Sequence, residues 1–116
     1  MKDLYVLEIG CGNGGGAKFA SEQFKPKKYF ALDVSENIIK NNIRKFKNVP
    51  NLYFDIGDGE NLLFNAELFD VAINIQVLHH IGNIKTFAFQ LSRVLKVDGE
   101  LLIADFLAAK QVQNVI

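Results

Sequence analysis

Tryptophan is absent from this chain of 116 residues, and cysteine, methionine, proline and histidine are scarce, at one, one, two and two. The lone cysteine, Cys11, excludes an internal disulfide, and a chain that manages without one is expected in a reducing compartment, the cytoplasm by default. No apolar run approaches the roughly 18 residues of a membrane span. The opening Met1-Lys2-Asp3-Leu4 has no apolar stretch of the kind that marks a secretory signal. An excess of one charge is also missing, because 13 Lys and Arg balance 13 Asp and Glu. Nothing global therefore draws the chain to nucleic acid or to an anionic membrane, and neither is expected as a partner. Lys25, Lys27, Lys28, Lys40, Arg44, Lys45 and Lys47 crowd one third of the chain and read as a solvated helix face and turn. Repeats, linkers and low-complexity segments are missing too. The expectation is one domain over residues 1–116. At this length a fold buries somewhat over ~60% of its unfolded surface, enough for one core.

Glycine, by contrast, is concentrated. Val6-Leu7-Glu8-Ile9 is an apolar run carrying one acid, and Gly10-Cys11-Gly12-Asn13-Gly14-Gly15-Gly16 then places five glycines in seven residues. Such density between an apolar run and a helix-like segment marks a backbone that turns sharply and approaches something closely. In a β-turn-α unit that something is usually the anionic or polar part of a nucleotide-like ligand.

The rest of the chain alternates strand and helix signals. Leu4 to Ile9 reads as a parallel strand buried on both faces. A helix is expected from about Gly14 to Phe24, with Ala17, Ala20 and Phe24 inward and Pro26 ending it. Tyr29 to Leu32 is the second strand, ending at Asp33. Ser35 caps a helix through Phe46 whose inward face is Ile39, Ile43 and Phe46. Asn48-Val49-Pro50-Asn51 is a turn. Leu52 to Phe54 is a short third strand that leads into the acidic loop Asp55-Ile56-Gly57-Asp58-Gly59-Glu60. Asn61 to Leu68 is read as at most one helical turn. Phe69 to Ile75 is the fourth strand, followed by a connection with His79 and His80. From Ile84 the apolar residues Phe87, Ala88, Leu91, Val94 and Leu95 keep helical spacing, with Asn83 as cap. Lys96-Val97-Asp98-Gly99 reads as a turn into a fifth strand, Glu100 to Phe106. Alternation of this kind implies a mainly parallel sheet with helices on both faces and right-handed crossovers. Ligands of such sheets sit at the carboxyl ends of the strands, and Glu8 to Gly14, Asp33, Asp58 and Asn74 to His80 all lie there.

Taken together these segments resemble the class I S-adenosylmethionine-dependent methyltransferases of the small-molecule type. Val6 to Gly14 is similar to the family's first motif, acid-x-Gly-x-Gly-x-Gly. Leu32-Asp33-Val34-Ser35 matches the acidic end of the second strand, and Gly57-Asp58-Gly59-Glu60-Asn61-Leu62 the third-strand loop. Phe69-Asp70-Val71-Ala72 with Val77-Leu78-His79-His80 resembles the fourth-strand segment, and Leu95 to Leu101 the turn into strand five. The resemblance runs from Leu4 to about Phe106. It implies a Rossmann-like three-layer α/β sandwich with a five-stranded sheet in the order 3-2-1-4-5. It implies S-adenosyl-L-methionine as cofactor and direct methyl transfer to a small molecule, with catalysis mainly by proximity. Gly10, Gly12 and Gly14 would let the backbone pass the methionine end, with Cys11 as a small packing residue between them. Glu8 would fix the loop and the ammonium end; alternatively it only holds loop N–H groups. Asp33 would accept both ribose hydroxyls, or serve only as a helix cap, while Val34 covers an adenine face. Asp58 would accept from the adenine amino group beside the Gly59 backbone, or simply form a turn. Asn74 and Gln76 would line the sulfonium and the substrate mouth. His79 and His80 are the candidates for a general base; no cluster of further ligands completes a metal site around them.

Two other readings stay open. Gly10, Gly12 and Gly15 satisfy G-x-G-x-x-G with Asp33 near the ribose-binding position, as in a nicotinamide-dinucleotide domain. The second is a non-catalytic or partner-dependent S-adenosylmethionine-binding module. The sequence starts at the first strand and runs only ten residues past the fifth, so this reading expects it to lack the family's N-terminal cap and C-terminal strands. A homodimer or a partner would then cover the strand-five edge. Asn74-Ile75-Gln76-Val77 replaces the Asn/Asp-Pro-Pro-aromatic segment of the amino-methylating nucleic-acid enzymes, which argues against a nucleic-acid substrate.

Overall fold

The computed structural model of the chain describes residues 3–74 and 82–103. The elements run β1 (Tyr5–Ile9), α1 (Gly15–Phe24), β2 (Lys28–Asp33), α2 (Glu36–Lys45), β3 (Leu52–Ile56), β4 (Phe69–Asn74), α3 (Ile84–Val94) and β5 (Leu95–Ile103). The five strands form one sheet in the order β3-β2-β1-β4-β5, and each neighbouring pair is parallel. This is the Rossmann-like α/β arrangement and the strand order that the sequence implied. The order reverses between β1 and β4, so the carboxyl end of β1 opens onto the crevice where ligands of such sheets bind.

Alternation along the central strand builds the layers. Val6 packs with Ala17 of α1, Ile39 of α2 and Tyr29 on one face. Leu7 and Ile9 pack with Phe87, Leu91 and Val94 of α3 on the other. Phe69 is fully buried on that second face. The Phe64 ring meets it edge-on at 4.9 Å and the Phe30 ring at 5.7 Å between centroids, a geometry that favours aromatic pairs. Ser35 and Asn83 cap α2 and α3 as expected, accepting from the N–H groups of Ile38 and Thr86. None of the described helices is long and apolar enough to cross a membrane.

Several local expectations need correction. On α2 Ile39 and Phe46 pack inward as expected and Asn42 joins them, while Ile43 is 52% exposed. On α1 Ala17 and Ala20 pack inward with Ser21 beside them, and Phe24 is exposed. On α3 the inward stripe is Phe87, Leu91 and Val94, with Ile84 and Ala88 outside. A ten-residue helix over a narrow sheet buries one stripe only, so an apolar residue one position off it stays in solvent. β3 runs on to Ile56, in register with Asp33. No helical turn forms over Asn61 to Leu68. That segment is held as a strap, because the Arg93 guanidinium donates to the carbonyls of Leu62 and Phe64, and Glu67 takes a positive φ of 55°. The expected turn Lys96 to Gly99 lies inside β5 as a bulge: Leu95 pairs with Phe69 and Glu100 with Val71, so four residues stand opposite Asp70 alone. The Lys96 ammonium meets the Asp70 carboxylate at 3.0 Å there, and the Tyr5 N–H donates to the same carboxylate. The expected strand segment beyond Ile103, to Phe106, lies outside the described residues.

Truncating Phe69 removes a fully buried ring packed edge-on against two others. Phe69→Ala is expected to cost about 3–5 kcal/mol. Phe89→Ala, on the outer face of α3, is expected to change stability by about 0.5 kcal/mol or less. Urea denaturation of both variants checks the contrast, and equal losses would contradict this account of the core.

Candidate functional site

The glycine loop leaves β1 at Ile9, which lies in register with Leu32 of β2 and Asn74 of β4. It is then tied to the end of β2. The N–H groups of Gly10 and Cys11 both donate to the Leu32 carbonyl, at 2.8 and 2.9 Å. The Gly12 N–H donates to Asp33 Oδ2 at 3.1 Å. The loop closes on itself through Gly14 N–H to the Cys11 carbonyl and Gly15 N–H to Asn13 Oδ1. Among the described residues, the N–H groups of Asn13 and Gly16 find no acceptor. Both residues are exposed at the start of α1, where a helix leaves unsatisfied donors and positive partial charge.

Two glycines of the loop serve different needs. Gly12 has φ +55° and nothing within 4 Å of where a Cβ would stand, so its side is open. Gly14 caps α1 with φ +82°, and a Cβ there would lie 2.8 Å from the Phe46 ring and 3.0 Å from Phe54. Gly14 is thus demanded by packing on the stacked Phe46–Phe54 pair.

Glu8 is buried on the α1–α2 face of β1, between Ala31 and Ile73 in the ladder. Its Oε1 accepts from the Tyr29 hydroxyl at 2.6 Å. Burial pushes the Glu8 carboxyl above its ordinary range, and the Tyr29 bond pulls it partly back. Burial and the adjacent Glu8 charge push the Tyr29 hydroxyl well above its usual value. Cys11 is buried beside them. Burial first, then the charges of Glu8 and Asp33, push its thiol up to about 12, so it stays protonated near neutral pH and is no nucleophile.

Asp33 bridges two elements. Oδ2 takes the Gly12 N–H, and Oδ1 takes the Ser35 N–H at 3.0 Å, just before the cap of α2. Each oxygen keeps a lone pair for a ligand hydroxyl. Val34 beside it is 72% exposed, an apolar side chain standing at the mouth. Asp58 is exposed and makes an Asx turn, Oδ1 accepting from the Glu60 N–H at 2.9 Å, and Gly59 is buried against the Phe87 ring. Asn74 ends β4 fully buried, and among the described residues neither its amide oxygen nor its amide nitrogen has a partner. A buried amide left so costs about 1–3 kcal/mol, and such orphans mark places that a ligand or water completes. Gln76, His79 and His80 lie outside the described residues.

Two polar residues bonded into this cluster are not singled out by the sequence. Tyr29 is one. The other is Asn42 of α2, 2% exposed, whose Nδ2 donates to the Gly12 carbonyl at 2.7 Å. Its signal was a polar residue three positions after Ile39 on a helix face otherwise read as apolar.

A parallel sheet with a glycine loop between β1 and α1, an acid at the end of β2 and an orphaned amide at the end of β4 defines a nucleotide-type cradle on a Rossmann-like core. Residues 7–103 match the family described as Methyltransferase domain, and the chain belongs to that family. It is 38% identical over 107 residues to the phthiotriol/phenolphthiotriol dimycocerosates methyltransferase of Mycobacterium leprae, covering 92% of this chain and 39% of that protein. It is 36% identical over 100 residues to the fatty-acid O-methyltransferase of Mycolicibacterium smegmatis, covering 86% of this chain and 36% of that protein. The crystal structure of the YcgJ protein of Bacillus subtilis superposes with a TM-score of 0.82 at 27% identity, covering 90% of this chain and 44% of that one. The chain therefore spans less than half the length of these relatives.

The Glu8–Tyr29 pair generates a pH-dependent expectation. The folded-state pKa of Glu8 lies above its ordinary 4.5, so the stability it lends is full below that pH and is lost as pH rises through the folded value. The tyrosine opposes that loss, because it donates best to the carboxylate. Tyr29→Phe is expected to cost about 1.5–3 kcal/mol near neutral pH, and clearly less below pH 4.5. Urea denaturation across pH checks this; a deficit independent of pH would contradict it.

Proposed function

We propose that this chain is the cofactor-binding core of an S-adenosylmethionine-dependent methyltransferase that passes a methyl group directly to a small molecule. The observation that carries the reading is the electrostatics of the loop. Two carboxylates bracket it: Asp33 Oδ2 takes the Gly12 N–H at 3.1 Å, and Glu8 is buried two residues before the first glycine. A pyrophosphate set between two acids is repelled, whereas a ligand bearing an ammonium and a sulfonium is attracted. This favours the methyl donor over a nicotinamide dinucleotide, although Gly10, Gly12 and Gly15 fit both patterns.

The donor, when bound, would supply an already activated methyl group: the acceptor's lone pair would form the new bond to carbon and the C–S bonding pair would stay on sulfur. The chain's own part is to bind and align. The open side of Gly12 and the outward N–H groups of Asn13 and Gly16 receive the carboxylate of the methionine end. Glu8 offers negative charge toward its ammonium. Asp33, fixed by two backbone N–H groups, presents its remaining lone pairs to the ribose diol, with Val34 against the adenine. Asp58 and the Gly59 backbone take the adenine edge. Asn74, with both amide atoms unpartnered, completes the wall toward the reacting centre, with Gln76 following it in the chain. His79 and His80 are the candidates for taking a proton from the acceptor.

The two named relatives act, by their names, on dimycocerosates and on a fatty acid, which supports a small-molecule acceptor here. The buried, protonated Cys11 suits a reducing cytoplasm. On β5, Leu101, Leu102 and Ile103 are each more than 40% exposed at the sheet edge. That exposure supports a cover over the edge in the working enzyme, by a second copy or a partner chain.

Isothermal titration tests the reading. S-adenosylhomocysteine is expected to bind saturably, and NADH not at all. Asp33→Ala is expected to weaken S-adenosylhomocysteine by about ten- to a hundredfold, as loss of hydrogen bonds to a charged acceptor implies. Saturable binding of NADH alone would overturn it.

A further inference from the structure

The Gly12 peptide is held from two sides. Its N–H goes to Asp33 at the end of β2, and its carbonyl is drawn inward by Asn42, thirty residues on, at 2.7 Å. Asn42 is 2% exposed, and the same amide lies 4.0 Å from the Cys11 sulfur. The carbonyl of Gly12 and the N–H of Asn13 belong to one planar peptide unit. In a trans unit these groups point in opposite directions, and the described chain has no cis peptide. A carbonyl aimed into the core therefore aims the next N–H outward. Asn13 is exposed, and its N–H finds no acceptor among the described residues.

We infer that Asn42 is a positioning residue: by holding the Gly12 carbonyl inward it turns the Asn13 N–H toward the anionic end of the ligand that the glycine loop receives. A glycine on the carbonyl side makes this restraint necessary. Gly12 has no Cβ to resist rotation of the peptide, and its φ of +55° is one of several conformations open to it. Without Asn42 the carbonyl is free to swing outward, where it would present a partial negative charge to a carboxylate. The inference rests on the reading of the loop as the seat of an S-adenosyl ligand.

Two ligands separate this role from simple packing. S-adenosylhomocysteine carries the carboxylate; 5′-methylthioadenosine shares the adenosine and the sulfur but has no carboxylate. In the full-length protein, Asn42→Leu keeps the branched shape of the side chain and removes the donor. It is expected to weaken S-adenosylhomocysteine by about tenfold or more while leaving methylthioadenosine within about twofold of wild type. Should the leucine variant not fold, as judged by its melting curve, Asn42→Ala serves for the same pair of titrations, since it leaves room for water at the carbonyl. Equal weakening of both ligands would make Asn42 a packing residue and overturn the inference, as would no change in either. Failure of the wild type to bind either ligand would instead overturn the reading of the site, and the inference with it.

Discussion

The site depends on the tether between the glycine loop and the end of β2. Three consecutive N–H groups, of Gly10, Cys11 and Gly12, close on the carbonyl of Leu32 and the carboxylate of Asp33. The tether is possible because Ile9 and Leu32 are partners in a parallel ladder, so the loop starts where its acceptors end. Asp33 then passes the constraint on. Its second oxygen fixes Ser35, which caps α2, and α2 returns Asn42 to the loop. The result is a closed circuit of hydrogen bonds from loop to strand to helix and back. A loop rich in glycine would otherwise sample many conformations; here the sheet fixes its shape, which is what a preorganised ligand seat requires.

The same circuit decides which groups remain for a ligand. Donors used internally cannot also bind, and the loop uses those of Gly10, Cys11, Gly12, Gly14 and Gly15. What is left is a small set at the start of α1, beside two carboxylates. Positive partial charge from the helix end and negative charge from Glu8 and Asp33 stand close together. An amino acid head group, anionic at one end and cationic at the other, matches that pattern better than a uniformly anionic group does. The proposed ligand thus rests on the arrangement of charge, and the glycine count alone does not decide it.

Most of the architecture was legible in the sequence because each unit carries a local signal. Val6 to Ile9 is apolar throughout, Ser35 and Asn83 are caps, and Asp33 follows a strand at a fixed distance from the loop. The features that were not legible depend on contacts between segments. Tyr29 reaches Glu8 only because two strands lie in parallel register. Asn42 turns inward and Ile43 outward because α2 lies on the sheet at an angle that its own apolar spacing does not determine. Lys96 to Gly99 has the composition of a turn and does leave the ladder, but the strand resumes at Glu100, so the turn becomes a bulge. Asn61 to Leu68 lacks a helix because Arg93, far along the chain, binds its carbonyls. Gly14 carries a packing demand that its place in the glycine run does not reveal, because the Phe46 and Phe54 rings come from distant segments.

The central claim is that the loop, the end of β2 and the acidic loop after β3 form one binding surface. Mapping the backbone amide resonances of the full-length protein as S-adenosylhomocysteine is added tests it most directly. The account predicts that the largest shifts fall together on Asn13, Gly16, Asp33, Val34, Asp58 and Gly59, with the amides around Lys96 to Gly99 at the opposite end of the sheet unmoved. Shifts concentrated at that opposite end, or none along the glycine loop at saturating ligand, would contradict it.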